Sequence, residues 1–503
     1  MNNKILFWQT SDWYDYNLAY SLQEHDLELY AIIDTVKKPK KFFLNQNFVN
    51  YKKIWFYHDA IKKNEKYSLD YLEKFEKKYK INLWLLAYNE RIFYNFNPYY
   101  TFSTDEVLSI LEQECRFFET ILEKIKPEFL IISLPWQHQG ELLVQMCKTK
   151  GIKILMINTS ELGGGSKNWT ISEGLGKNFY NKEIITNNSK NTSFKKLQDQ
   201  LESWKSNANM TKISQEKPEN RKLKRMIAGL EMLSGNNENA DTHFSYYGRN
   251  KTKIIKNEIF SELQLKKRES FINKNFNKNY SKNEKIIYFP LHMEQERSLL
   301  IDAPFFTNQL EVIKHVVKSL PIGYELLVKE HPFMKFRGWR EISEYKEMMN
   351  LPNVKMIHHS VNSLDLIKNC KLVISINSTA GFEAAFYEKP SINFQRRGYS
   401  ILSSSFVVNE INELPQLIRK ALQTKVNPNE LDVYVQSIME NLFEFNYMDY
   451  IKQYDNTFHR DGNLVDVLID DKTMKKFLEN NKSTFDKISL EYIKRINSDR
   501  ETN

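Results

Sequence analysis

Short apolar runs alternate with segments of helical period through roughly the first 186 residues of the chain. Candidate strands fall at Lys4 to Trp8, Leu27 to Ile33, Lys53 to Tyr57, Glu128 to Leu134 and Ile152 to Ile157. Between Thr104 and Lys126, Val107, Ile110, Leu111, Phe117, Phe118, Ile121 and Leu122 recur at spacings of three and four. That period predicts an amphipathic helix, which Pro127 ends because it offers no backbone donor. Strands alternating with helices in this order predict α/β units with a parallel sheet.

The alternation lapses over 187–284, where Lys, Asn, Ser and Glu dominate and helical patches such as Leu223 to Leu233 are the main order. This stretch reads as a helical connector. The pattern then returns, with strands expected at Lys285 to Pro290, Tyr324 to Lys329, Val354 to Ile357, Lys371 to Ile376 and Ser391 to Phe394. Helical patterns fill the gaps at Asn308 to Leu320, Gly338 to Met349 and Ser363 to Asn369. After about Asn427 only helical patterns remain, and the mixed charges of Phe477 to Arg495 suggest a surface helix. The expected fold class is α/β: two Rossmann-like domains, 1–186 and 285–426, facing across a cleft, with a connector at 187–284 and a helical extension at 427–503.

Length supports that division, since 503 residues exceed the ~250–300 at which single cores stop growing. With 41% hydrophobic and 27% charged residues, the chain can bury full cores and is not globally disordered. Its longest apolar runs, such as Phe129 to Leu134, fall far short of the ~20 residues that cross a bilayer. Met1 to Trp8 lacks the apolar region of a secretion signal, so a cytoplasmic protein is expected. Cys115, Cys147 and Cys370 have neither disulfide nor zinc spacing and read as buried thiols. A net charge of +9 favours an anionic partner or an anionic membrane surface. No RNA-binding or finger motif accompanies it, so nucleic acid is not expected.

Open α/β sheets bind ligands beyond the carboxyl ends of their strands, and candidate chemistry clusters there. The strand ending at Val328 runs into Lys329, Glu330, His331 and Pro332. An imidazole at that point can donate to a phosphate oxygen, or can simply hold the loop. The strand ending at Ile376 meets Asn377, Ser378 and Thr379 at a helix start, where hydroxyls and free N–H groups suit an anion and equally suit an ordinary N-cap. Glu383 lies one turn deeper on the same face as Thr379, placed to accept the ribose hydroxyls of a nucleotide. Together Lys329, His331 and the helix start can neutralise one phosphate, so no metal or other cofactor is required. On the first domain, Asp12, His138 and Glu141 follow strand ends and are candidates for the base of a transfer reaction; caps and surface loops are the structural alternative. Glycines 163–165 would permit close backbone approach to a ligand.

The runs YELLVKEHP at 324–332 and VISINSTAGFEAAFYEKPSI at 373–392 resemble the capsule polysaccharide biosynthesis family, which includes the bacterial β-Kdo transferases of capsule assembly. Their His-Pro and Ser-Ser/Thr elements are also similar to those of bacterial sialyltransferases. The run FPLHMEQERS at 289–298 resembles the opening of the family's nucleotide domain, with Gln295 where a Pro often stands. The resemblance implies a GT-B arrangement, a CMP-activated acidic sugar as donor, and His331, Ser378 and Thr379 around the CMP phosphate. It also implies a glycan or lipid-linked glycan acceptor, met at the inner face of the cell membrane. Rival readings are a polyol-phosphate transferase of the teichoic acid type, a UDP-sugar enzyme, and a non-catalytic scaffold in polysaccharide export.

Overall fold

The computed structural model describes residues 3–163, 166–174, 192–207, 243–280, 285–458 and 469–501. The patch Leu223 to Leu233 and Gly164 and Gly165 lie outside them.

The first sheet holds β1 (Lys4–Gln9), β2 (Glu28–Ile33), β3 (Lys53–Phe56), β4 (Phe129–Ile132), β5 (Lys153–Thr159) and β6 (Trp169–Ser172). Its order is β3-β2-β1-β4-β5-β6, parallel except for the antiparallel edge strand β6, which the sequence pattern did not reveal. In β1, Leu6 and Trp8 enter one core while Ile5 and Phe7 enter the other, so alternate residues are buried on both faces. The helix Thr104–Ile125 covers the first face; Ser103 and Glu106 form its capping box, and Lys126 turns left-handed just before Pro127.

The opposite face is covered by the C-terminus of the chain. The helix Asp471–Glu501 packs Phe477, Phe485, Ile488 and Tyr492 against Tyr14 and the strands, with Ser21 donating to Asp486 at 2.9 Å. The surface helix expected at Phe477 to Arg495 is therefore corrected: one of its faces is core. The expected 427–503 extension divides, because the helix Pro428–Met439 buries Leu431, Tyr434 and Val435 in the second domain instead.

The second sheet holds β7 (Ile286–Pro290), β8 (Glu325–Lys329), β9 (Val354–Ile357), β10 (Leu372–Ser375), β11 (Ser391–Asn393) and β12 (Ser405–Val407). Every pairing is parallel, in the order β12-β11-β10-β7-β8-β9. Both sheets thus follow the doubly wound order 3-2-1-4-5-6, whose ligand crevice lies where the order reverses. In the second domain that point lies between the carboxyl ends of β7 and β10. Of the connector, the helix Phe194–Asn207 packs Leu197 and Leu201 into the second domain, and the helix Lys251–Asn275 runs from Tyr99 to Trp339, joining the two.

No helix among the described residues is long and apolar enough to cross a membrane. The three cysteines are buried and free.

Candidate functional site at the reversal of the second sheet

Three consecutive strands of the second sheet, β8, β7 and β10, deliver their C-terminal residues to one edge. Beyond β7 stands His292, a residue the sequence reading passed over. Its Nε2 accepts from the backbone N–H of Asn377 at 3.1 Å, tying the ends of β7 and β10 together. Gln309 clasps its backbone through bonds of 2.8 and 3.1 Å. Burial first, with the neighbouring His331 ring and the guanidinium charges of Arg397 and Arg340 adding to it, lowers His292 to about 3, so it stays neutral.

Beyond β8, Lys329 is buried and donates to Ser363 Oγ at 2.8 Å. Burial lowers its ammonium to about 8 against the opposing pull of Glu330. Glu330 is fully buried and takes bonds from Arg340 Nε at 2.8 Å, Tyr345 Oη at 2.7 Å and the N–H of His331 at 2.6 Å. Arg340, itself buried, also reaches Glu294 at 2.6 Å and the carbonyl of His292 at 2.6 Å. This knot fixes the backbone on which His331 sits. His331 Nδ1 accepts from the N–H of Phe333 at 3.3 Å, which assigns the ring proton to Nε2. Its pKa falls to about 4, through burial first and the charges of Lys329 and Arg340 after it, with Glu330 opposing. At neutral pH His331 is an uncharged N–H donor.

Beyond β10, Ser378 Oγ accepts from the N–H of Ala380 at 3.1 Å, and its carbonyl accepts from Tyr399 at 2.5 Å. Ser378 is therefore engaged in capping the short helix Ala380–Phe386, while the exposed Thr379 makes no side-chain cap. Glu383 is ion-paired with Lys205 of the connector helix, a partner the sequence did not disclose. The structure thus brings Lys329, His331, Ser378 and Thr379 to one edge, with Glu383 one turn behind.

The candidates of the first domain do not assemble. Asp12, after β1, accepts from the N–H of Tyr14 at 3.1 Å, and burial raises its carboxyl. His138 is wholly engaged: its Nδ1 lies 2.8 Å from Glu90 and its Nε2 3.0 Å from Glu114, all three buried. Burial alone would lower it, but Glu114 and Glu90 outweigh that and raise it to about 10. An imidazolium with both N–H groups bonded has no lone pair for a proton, so this geometry makes His138 a structural charge rather than a base. Glu141 pairs across the domains with Arg297 at 3.2 Å.

That pair belongs to a seam which sequence reasoning missed. Arg297 also donates to the carbonyl of Pro135 at 2.7 Å and pairs with Asp302 at 3.1 Å. Arg397 donates to Asn377 Oδ1 at 3.3 Å and lies 3.5 Å from Glu161, which reaches over from the end of β5. Glu161 further accepts from the N–H of Gly398 at 3.1 Å and from Tyr434 at 2.5 Å. A Cβ on Gly398 would lie 2.5 Å from the Tyr434 hydroxyl, so glycine is required there. The Arg-Arg-Gly run just past β11 was the available sign of Arg397. Among the described residues, no group of three or more His, Cys, Asp or Glu could hold a metal ion.

Comparison with known proteins gives one family and several distant likenesses. Residues 206–403 match the family described as capsule polysaccharide biosynthesis protein. No curated protein matches the chain. Among solved structures, the β-Kdo 2,7 transferase KpsC of Thermosulfurimonas dismutans is 13% identical, with TM-score 0.30, over 63% of this chain and 79% of its own. The UDP-GlcNAc 2-epimerase of Methanocaldococcus jannaschii bound to UDP-GlcNAc and UDP is 11% identical, with TM-score 0.26, over 86% of this chain and 99% of its own. The fold assignment rests on the two strand orders and not on these likenesses. The match to the capsule polysaccharide biosynthesis family thus falls on residues 206–403, the region that holds the nucleotide-site candidates and most of the second sheet.

Proposed function

We propose that the chain is a glycosyltransferase of surface-polysaccharide assembly, moving a Kdo-like or other nonulosonic acid from a CMP-sugar to a glycan or lipid-linked glycan. The observation that carries this reading is the edge around β7, where β8 leads into Lys329 and His331, whose Nε2 carries the ring proton, and β10 leads into Ser378 and Thr379. That set suits the single phosphate of a CMP-sugar: the imidazole donates, the ammonium supplies charge, and bound phosphate would raise Lys329 again. The acceptor hydroxyl gives its proton to a base, its oxygen bonds to the anomeric carbon, and the bond from that carbon to the phosphate oxygen breaks. CMP leaves with the electron pair, and Lys329 and His331 stabilise the charge gained by its phosphate.

Of the first-domain candidates, Asp12 is the one left for the base, since His138 is held between Glu90 and Glu114 and Glu141 by Arg297; burial raises the Asp12 carboxyl above its ordinary value. Glu383 is assigned to the ribose, with Lys205 exchanged for the sugar hydroxyls; Glu383→Gln should raise the donor KM more than it lowers kcat.

Thermal unfolding with CMP, UDP and CDP-glycerol tests the assignment. A matching ligand at 100 times its Kd should stabilise the protein by about 2.7 kcal/mol, and CMP is expected to do so. Stabilisation by CDP-glycerol alone would point to polyol-phosphate transfer, by UDP alone to a UDP-sugar enzyme, and by none of them to a scaffold.

A further inference from the structure

At the outer end of the seam between the domains, five large aromatic side chains stand in solvent. Trp84 and Tyr88 lie one turn apart on the helix Leu83–Tyr88 and are 43% and 61% exposed. Tyr94, 41% exposed, places its ring centroid 5.9 Å from that of Tyr88. Trp136, 57% exposed, follows the Pro135 carbonyl that Arg297 holds, and Arg91 lies 5.6 Å from its ring centre. Phe305 of the second domain is 78% exposed and follows Pro304, whose carbonyl accepts from Asn89 beside Tyr88. Arg91 closes the group by donating to the carbonyls of Gln295 and Trp136 at 2.7 and 2.6 Å.

The elements that carry these rings bury Leu83, Ala87 and Phe93 in the first core and leave the rings themselves outside it. Folded proteins rarely leave a contiguous group of large apolar side chains in water without a partner for it. The chemistry of the rim selects the partner. Flat rings stand beside the exposed amide of Asn95, with Arg91 fixing Trp136 in place, a mixture in which the rings stack on the C–H faces of sugars and the amide hydrogen-bonds their hydroxyls. An anionic membrane would call for clustered lysines, yet 81–98, 134–141 and 300–308 contain none. The rim is also continuous with the cleft through Pro135, Arg297 and Glu141.

We propose that this aromatic rim is a carbohydrate-binding platform, on which a glycan chain lies across both domains as its end enters the cleft. Its role as the acceptor's platform rests on the transferase reading; the binding itself does not.

The test uses the full chain and the surface polysaccharide of the cells that make it, cleaved and sized into pools of about two, four and eight sugars, a span chosen to cover several rings. Saturable binding that tightens with length is expected, with Trp136→Ala and Tyr88→Ala each weakening it about tenfold, the loss of one good stacking contact. Ile322→Ala, at a 97% exposed site elsewhere, should change nothing. Because the replaced rings are exposed, unfolding temperatures should match the parent. Failure of every pool to bind, or binding that survives both aromatic replacements, overturns the platform. So does a loss of self-association or of liposome binding in the two variants in place of a loss of glycan binding, which would assign the rim to a second copy or to a membrane. Glycan binding without any nucleotide response keeps the platform and removes the transferase; nucleotide binding without glycan binding does the reverse.

Discussion

The two domains share one strand order and differ in what they do with the polar groups beyond their strands. In the first, those groups satisfy one another: His138 bridges Glu90 and Glu114, Asp15 accepts from Ser133 at 2.9 Å, and Asp34 pairs with His58 at 2.8 Å. In the second, the buried pairs lie behind the edge, in the knot of Glu330 and Arg340, which fixes the backbone of the less buried His331. The same topology therefore supplies a braced wall on one side and a presenting surface on the other. Strand order locates a crevice; only the disposition of partners tells which side binds the charged ligand.

Breaking the brace should have the largest effect. His138→Ala leaves two buried carboxylates without their counter-charge, and removal of one partner of a buried ion pair costs about 3–5 kcal/mol. Denaturant unfolding should show that loss, while CMP still stabilises whatever folded protein remains. If His138→Ala instead abolished turnover at unchanged stability, the contrast between the domains would fail.

Replacing His331 should have a smaller and opposite kind of effect. His331→Ala removes one donor to a charged oxygen and should weaken CMP binding by about 1–3 kcal/mol, measured by calorimetry, with little change in unfolding temperature. A large drop in stability with unchanged CMP affinity would make His331 a loop-holding residue.

The pH dependence of stability should separate the domains by sign. His138, raised to about 10, contributes stability that is complete below its unfolded value near 6.5 and is lost as pH rises toward 10. His292 and His331, lowered to about 3 and 4, contribute stability that is present above about 6.5 and is lost as pH falls toward those values. Each group can tilt the curve by at most about 1.4 kcal/mol per pH unit. Imidazole NMR signals from the three residues test this directly: His138 should remain charged at pH 8 and the other two neutral at pH 6.

Much of the fold was legible because both sheets are buried on two faces, which makes their strands short apolar runs; β9 and the helix Ser363–Asn369 fall on their expected bounds. The helix Asp471–Glu501 was misread because its apolar stripe, spaced along Phe477, Phe485, Ile488 and Tyr492, is diluted by charges on its other faces. At the edges, sequence located His331 and Ser378 through their strands, since chain direction fixes where a strand's next residue goes. It could not tell outward from inward. Glu90 and Glu114 lie 48 and 24 residues from His138, and Glu161 meets Gly398 across 237. Such pairings are set by tertiary packing and leave no local period.

The smallest expected effect concerns the membrane, and it tests whether the net charge of +9 has a use beyond solubility. The lysines whose clustering suits contact with a membrane surface are Lys37, Lys38, Lys40 and Lys41, together with the basic run Lys222 to Arg225, which lies outside the described residues. Lys40 is already engaged, pairing with Asp59 at 2.5 Å and lying 5.1 Å from the ring centre of Phe56. Each free lysine near an anionic surface contributes about 1 kcal/mol, and only within a Debye length of roughly 8–10 Å. Attraction of that size gives a weak, reversible attachment, one that salt should release. Flotation with anionic liposomes at low salt should therefore carry part of the protein upward, and ~0.5 M salt should return it to the soluble fraction. Replacing Lys37, Lys38 and Lys41 by Gln should reduce flotation while leaving CMP binding intact. Protein that stays in the soluble fraction at low salt, with or without lipid-linked glycan in the liposomes, would remove the membrane from the picture and leave a soluble glycan as the acceptor to pursue.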